Sequence, residues 1–214
     1  MSSPFGPMIL ICNARSGRGG VARALPEVEQ HLKERKLEYE LRHTEGPGHA
    51  TELAREALRS GIRFLVAVGG DGTVHEVVNG MIENDAPVDP SSVLGVVAAG
   101  TGSDFIKTFG IRSIPSAAVA HLDGEHSFKI DIGKVTYQQN GAEVVRYFPN
   151  IAEVGLGAAV GLRSLMEGFG MPVLEALSRG ILELRPPQLP DPEAQRDHFR
   201  RRRRQLRLRH RNLC

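Results

Sequence analysis

FLVAVGGDGTVHEVVNG, residues 64–80, decides how this chain folds. The opening FLVAV is wholly apolar, the length and character of a strand buried on both faces. Two glycines, an aspartate, a glycine and a threonine follow, and then Val74, Val77, Val78, Met81 and Ile82 recur at the spacing of one helix face. Strand, glycine turn and helix make one half of a parallel βαβ unit, with the helix expected to begin at Thr73 or Val74. The same stretch poses a chemical question. A glycine turn opening into a helix suits an anion, because backbone N–H groups and the positive helix end point at it. Yet the tightest part of this turn carries a carboxylate, Asp71.

The pattern repeats on both sides. MILIC (8–12) reads as a buried strand, NARSGRGG as its turn, and Val21, Leu25, Val28 and Leu32 as the inner face of a helix. YELRH (39–43) alternates like a strand, and GPGH (46–49) leads into a helix with Ala50, Leu53, Ala54, Ala57 and Leu58 on one face, stopped by Gly61. VLGVV (93–97) is a further strand, followed by AAGTGSDF and a short helix to about Phe109. Strands alternating with helices, several apolar on both faces, predict an α/β fold with a parallel sheet covered on both sides. Ligands in such folds bind at the carboxyl ends of the strands, where all three glycine-rich turns fall.

The text changes after Ile114. A helix is expected over Ser116–Leu122, and FKIDIGKVTYQQNGAEVVRYFPNIA then reads as two β-rich runs joined at QQNG, a hairpin signal. The expected organisation is an α/β domain over 1–125, a partial β-rich domain over 126–185 that includes a helix at LEALSRGILEL, and a basic tail over 186–214. From Asp191 to the end there are nine arginines against three acids, +6, so the rest of the +2 chain sums to −4. Clustered arginines suffice for phosphate contact. The tail's dearth of apolar residues instead favours an unstructured extension with no specific nucleic-acid partner.

With 214 residues the chain can bury a core without disulfides. Its two cysteines, Cys12 and Cys214, lie at opposite ends and form no spaced set for a disulfide framework or thiolate metal site. The N-terminus MSSPFGPMILIC lacks a signal-peptide pattern, and no apolar run approaches the length that spans a bilayer. A cytoplasmic protein able to visit a membrane surface is the expectation.

Three turns carry candidate chemistry. The first contains Gly17-Arg-Gly19-Gly-Val-Ala22, a GxGxxA match with Glu40 about where a ribose-binding acid would stand, so a dinucleotide-binding oxidoreductase is one reading. The four residues Asn13 to Ser16 before the first glycine loosen that fingerprint. In the second turn a divalent cation between carboxylate and phosphate would reverse the repulsion, and Mg²⁺ commonly takes one or two carboxylates with phosphate oxygens and waters. Turn chemistry, with Asp71 capping its helix, explains the motif equally well. The third turn, Gly100-Thr101-Gly102-Ser103-Asp104, repeats hydroxyls and an acid beside glycines on the neighbouring strand; Ser103 or Asp104 as a simple N-cap is the plain alternative. Two such turns at one sheet edge favour a nucleotide phosphate with a metal. GxxxxGK[ST] is absent, which excludes a P-loop enzyme, and the eight histidines show no metal-ligand spacing.

NARSGRGG, TEGPGHATELAREA, GGDGTVHEVVNG, AAGTGSDF and IDIG, in this order, resemble the diacylglycerol kinase catalytic-domain family, the lipid kinases that include sphingosine and ceramide kinases and are distantly similar to NAD kinases. The resemblance runs from about Met8 to about Gly161. It implies an N-terminal parallel-sheet domain of the NAD kinase and diacylglycerol kinase type and transfer of the γ-phosphoryl of ATP to a lipid hydroxyl. By resemblance, Asn13, Ser16, Gly17 and Thr44 line the nucleotide site, and Gly69, Gly70, Gly72 and Thr73 hold the phosphates with Gly100 and Thr101. Glu76 and Asn79 sit in the matching helix. Asp71, Asp104 and Asp131 would position Mg²⁺ through water, with Asp71 the acid expected to act in catalysis.

The sequence departs from the family twice. Ala99 and Ser103 replace a proline and an asparagine, and no Asp-Gly segment with the family's general base follows Gly161. The expectation is therefore an incomplete β-rich domain ending in a frameshifted or truncated segment. Two other readings stay open, a nucleotide-binding remnant and an NAD kinase-like or dinucleotide-binding protein. A lipid substrate at a membrane surface is the expected partner, and a homodimer is compatible with the sequence.

Overall fold

The computed structural model describes residues 3–98, 104–112 and 114–150. They belong to one compact unit, Met1–Ala152. The third glycine turn (Gly100, Thr101, Ser103) and all expectations beyond residue 150 lie outside the described residues.

Apolar strands and amphipathic helices alternate as the periodicity dictates. β1 (Met8–Cys12) leads into α1 (Ser16–Glu34), β2 (Tyr39–His43) into α2 (His49–Arg59) and β3 (Phe64–Gly69) into α3 (Asp71–Met81). A two-residue pair, β4 (Ile82–Glu83) and β5 (Ala86–Pro87), precedes β6 (Val93–Ala98). Helices α4 (Asp104–Thr108) and α5 (Pro115–Ala120) come next, and then a hairpin of β7 (Gly133–Gln139) and β8 (Ala142–Phe148).

β1, β2, β3 and β6 form one parallel sheet in the order β2-β1-β3-β6. Central β1 and β3 are buried along their whole length, so they read as unbroken apolar runs; terminal β2 carries the charged Glu40 and Arg42. Alternate strand residues feed two cores. Ile9, Ile11, Leu65 and Ala67 pack with α2 and α3, whereas Leu10, Cys12, Val66 and Val68 pack with α1 and α5.

Helices α2 and α3 lie unusually close. A Cβ on Gly80 would run into the carbonyl oxygen of Thr51 and lie 2.6 Å from the Ala54 Cβ. Thr51 Oγ1 donates to the Glu76 carbonyl at 2.8 Å, Arg55 to the Asn79 carbonyl at 3.0 Å, and Arg59 pairs with Glu83 at 3.0 Å.

Two local expectations change, and two features are added. Helix α3 starts at Asp71, because the turn is tight enough for the Thr73 and Val74 amides to reach the Gly70 carbonyl at 2.9 and 3.2 Å. Residues 128–132 form no strand; Ile130 and Ile132 pack singly against the α2–α3 core, and β7 begins at Gly133. In the β4–β5 pair Asn84-Asp85, both at positive φ (51° and 63°), form the turn as Asn140-Gly141 (53° and 79°) do in β7–β8. In α1, Gly17, Arg18 and Gly19 are left-handed (φ 60°, 54° and 78°), so the regular helix follows them.

Candidate functional site

In the sheet, β2 lies on one side of β1 and β3 on the other, so the order reverses between β1 and β3 and opens a crevice at their carboxyl ends. The backbone builds its floor. The Asn13 N–H donates to the Val68 carbonyl at 3.0 Å, and the Thr44 N–H donates to the Cys12 carbonyl at 2.9 Å. Asn13 then folds its own turn, its carbonyl accepting from Ser16 N–H at 3.0 Å and its Oδ1 from Arg15 N–H at 3.2 Å. Ser16 Oγ lies 3.2 Å from where a Cβ on Gly70 would stand, so the first and second glycine turns touch. Asn13, Ser16, Gly17, Thr44, Gly69 and Gly70 therefore share one crevice.

Thr73 is the most informative member. It is 3 % exposed, and its Oγ1 is buried with no hydrogen-bond partner among the described residues. Its side chain lies directly over the Cα of Gly69, where a Cβ on that glycine would collide with Oγ1 and lie 2.7 Å from the Thr73 Cβ. A buried hydroxyl without a partner is costly unless something supplies one. Beside Gly70 and Gly72, at the first turn of α3, this donor fits a phosphate oxygen.

Asp71 does not cap its own helix, as turn chemistry alone would suggest. The N-cap of α3 is Gly70 and no side chain caps it. The Asp71 carboxylate reaches across to the next helix instead: Oδ2 accepts from the Asp104 N–H at 3.1 Å and Oδ1 from the Phe105 N–H at 3.2 Å. It thereby caps α4 and ties the second glycine turn to the end of the third. Asp104 itself is engaged by Lys107 Nζ at 2.7 Å. The side chain of Asp131 is exposed.

Among the described residues no three His, Cys, Asp or Glu side chains are grouped to hold a metal, so Asp71, Asp104 and Asp131 form no direct cage. The two Asp71 oxygens, with one amide bond each, retain capacity for water, which suits an Mg²⁺ that keeps its own hydration shell.

Other candidates have partners of their own. Glu76 Oε2 accepts the Ala50 N–H at 3.1 Å and so satisfies the N-terminus of α2. Glu40 stands at the second position of β2 opposite Ile9, toward the amino end, and bonds Arg42. A ribose-binding acid belongs at the carboxyl end, so the dinucleotide fingerprint loses its second element. Cys12 lies on the inner side of β1, and burial, with Glu29 nearby, pushes its thiol up to about 11. His75, one turn into α3, is held below its ordinary value by burial and by the positive charge of Arg146. Asn79 is bonded to the backbone of Tyr147, a connection of i and i+68 with no sequence signal.

A parallel α/β domain whose glycine turns meet at a switch point defines the class: a domain with its ligand crevice at the carboxyl edge of the sheet. Comparison with known proteins narrows it. The family model of the diacylglycerol kinase catalytic domain matches residues 7–135, and this chain belongs to that family. The diacylglycerol kinase of Staphylococcus haemolyticus is 36% identical over 146 residues, covering 68% of this chain and 41% of that protein. That of Bacillus subtilis is 37% identical over 148 residues, covering 68% and 45%. A solved diacylglycerol kinase from Bacillus anthracis superposes with a TM-score of 0.44 at 25% identity, covering 64% of this chain and 45% of the other. The chain thus spans less than half the length of the curated relatives it matches. No helix among the described residues is long and apolar enough to cross a membrane.

Proposed function

We propose that this chain binds ATP with Mg²⁺ in the β1–β3 crevice and serves a lipid kinase reaction, transfer of the γ-phosphoryl to the hydroxyl of a diacylglycerol-like lipid. The observation that carries the reading is the buried hydroxyl of Thr73 over Gly69, without a partner among the described residues, in the first turn of α3. Family membership supplies the reaction class.

In the transfer, the lipid oxygen bonds to the γ-phosphorus, the bond to the bridging β,γ-oxygen breaks, ADP leaves, and the hydroxyl proton passes to a base. None of the described residues is assigned as that base. Such chemistry is driven by positioning and charge neutralisation. Gly69, Gly70, Gly72 and Thr73 would hold the phosphates, while Asn13, Ser16, Gly17 and Thr44 line the nucleotide side. Asp71, Asp104 and Asp131 would hold Mg²⁺ through water, and the ion when bound offsets phosphate charge. Access to the lipid calls for docking at a membrane surface, to which clustered arginines add about 1 kcal/mol each near anionic headgroups.

A second reading has its own observation. The described residues gather Asn13, Ser16, Thr44 and Gly70 at one crevice, a nucleotide side that can hold its ligand without acting on a lipid. Incubation of the full chain with Mg-ATP and mixed diacylglycerols or sphingoid bases separates the two. Phosphorylated lipid supports the kinase; ATP binding without turnover supports the binding portion alone; absence of ATP binding overturns both.

A further inference from the structure

Tyr147 of β8 is clasped by a single side chain of α3. Asn79 Oδ1 accepts the Tyr147 N–H at 3.0 Å, and Asn79 Nδ2 donates to the carbonyl of the same residue at 2.8 Å. One amide thus does for this residue what a neighbouring strand would do, and a two-stranded hairpin, marginal alone, depends on such support. The second hydrogen of Nδ2 goes to the His75 carbonyl at 2.8 Å, so both are occupied. A further atom crowds the same nitrogen: His75 Nε2 lies 3.4 Å from it. A bare ring nitrogen there presents a lone pair to the amide hydrogens, whereas a protonated one sets N–H against N–H. The contact therefore calls for a neutral His75 with its hydrogen on Nδ1.

A proton on Nε2 changes what suits Asn79. The new N–H needs an acceptor, and Asn79 can bring Oδ1 to it only by turning its amide over. The turned amide sets Nδ2 against the Tyr147 N–H and Oδ1 against the Tyr147 carbonyl, so both bonds to β8 are lost together. The surrounding charges act in the same direction. Burial and then the positive charge of Arg146, the residue before Tyr147, hold His75 below its ordinary 6.5, with Glu76 opposing. Arg146 leaves with the strand, so release of β8 raises the proton affinity of the ring. The other charged groups near this contact have partners. Glu76 Oε2 accepts the Ala50 N–H at 3.1 Å, Arg55 of α2 donates to the Asn79 carbonyl at 3.0 Å and lies 3.6 Å from Glu83 of β4, and β3 carries no charge. Asp85 accepts from the Tyr147 hydroxyl and from Lys134 Nζ, each at 2.7 Å, and these bonds, Lys134 first, hold its carboxyl below the usual range. That second tether therefore persists where histidine titrates. We propose that His75 is a proton-sensitive latch on the β7–β8 hairpin: the neutral imidazole leaves Asn79 to clasp Tyr147, and the imidazolium takes the amide oxygen for itself and frees that residue of β8.

Amide hydrogen exchange of the full chain between about pH 7.5 and 5, expressed as protection relative to an unstructured chain at the same pH, reads the latch. Protection at Tyr147 should be level above about pH 6.5 and fall below it by up to about tenfold per pH unit, while Val66 and Val68 in β3 stay protected. In His75→Gln, which keeps a neutral polar group and cannot titrate, the fall at Tyr147 should vanish. Level protection at Tyr147 down to about pH 5, an equal fall in His75→Gln, or an equal fall in β3 overturns the latch. Should His75→Gln fail to fold, ring nitrogen resonances of the wild-type chain decide. A hydrogen on Nδ1 at neutral pH, and a His75 titration in step with the loss of protection at Tyr147, support the latch. A hydrogen on Nε2 at neutral pH, or a titration that leaves Tyr147 protected, overturns it.

Discussion

Gly69 and Thr73 occupy space that admits only one side chain: the threonine covers the glycine so closely that a methyl group on Gly69 would overlap it. The contact involves the Thr73 Cβ at 2.7 Å, close to the helix backbone, so rotating the hydroxyl does not relieve it. Gly69→Ala should therefore destabilise the chain by about 1–3 kcal/mol, the usual range for overpacking. Gly70→Ala meets only Ser16 Oγ, at 3.2 Å, and its φ of −102° suits any residue. Chemical denaturation of the two variants should show the large effect at Gly69 and a much smaller one at Gly70; equal effects count against this packing.

Thr73→Val separates ligand binding from folding. Removing a buried hydroxyl that lacks a partner among the described residues should leave the ligand-free chain as stable as wild type or more so, by up to about 1 kcal/mol. ATP affinity should fall by about tenfold or more as the phosphate loses a donor. Denaturation and nucleotide titration of one preparation check both signs, and a variant that binds ATP normally removes Thr73 from the site.

Asp71→Ala deprives the Asp104 and Phe105 amides of their acceptor. Loss of such a cap should lower stability by about 1 kcal/mol and speed exchange at those two amides. Asp71→Asn keeps one carbonyl oxygen and removes the charge, so it should fold nearly as wild type while losing Mg²⁺-dependent ATP binding. Retention of that binding in the asparagine variant would leave Asp71 a capping residue alone.

Burial pushes the imidazole of His121 below its ordinary 6.5, with the Ala117 carbonyl and Asp123 opposing the shift. The unfolded chain then binds a proton that the folded chain refuses. This contribution is complete above about pH 6.5 and is lost as pH falls from there toward the depressed folded value, at a slope of at most about 1.4 kcal/mol per pH unit. Stability measured from pH 7.5 to 5 should decline less steeply in His121→Gln than in wild type. Parallel profiles would remove His121 from the acid response.

The sheet was legible because its central strands are buried on both faces, which forces MILIC and FLVAV to be apolar throughout and leaves the glycine turns at one edge. The meeting of Asn13, Ser16, Thr44 and Gly70 follows from that topology and needed no pairwise signal. Side-chain direction was not legible. Glu76 occupies a position suited to a helix dipole yet serves the amide of Ala50 on another helix, and Asp71 serves a helix beyond the next strand. Both are backbone debts of a neighbouring element, visible only once the elements are packed. Asn79 is likewise unreadable, since its partner lies 68 residues away.

The close approach of α2 and α3 at Gly80 has a mechanical consequence. With a glycine seated against the Thr51 carbonyl, and cross-links from Ala50 to Glu76 at one end and from Arg59 to Glu83 at the other, the helices cannot slide past each other without breaking several bonds at once. They form one stiff pair, and the turn at 44–48, which leads into α2, is thereby tied mechanically to the start of α3 at Asp71 and Thr73.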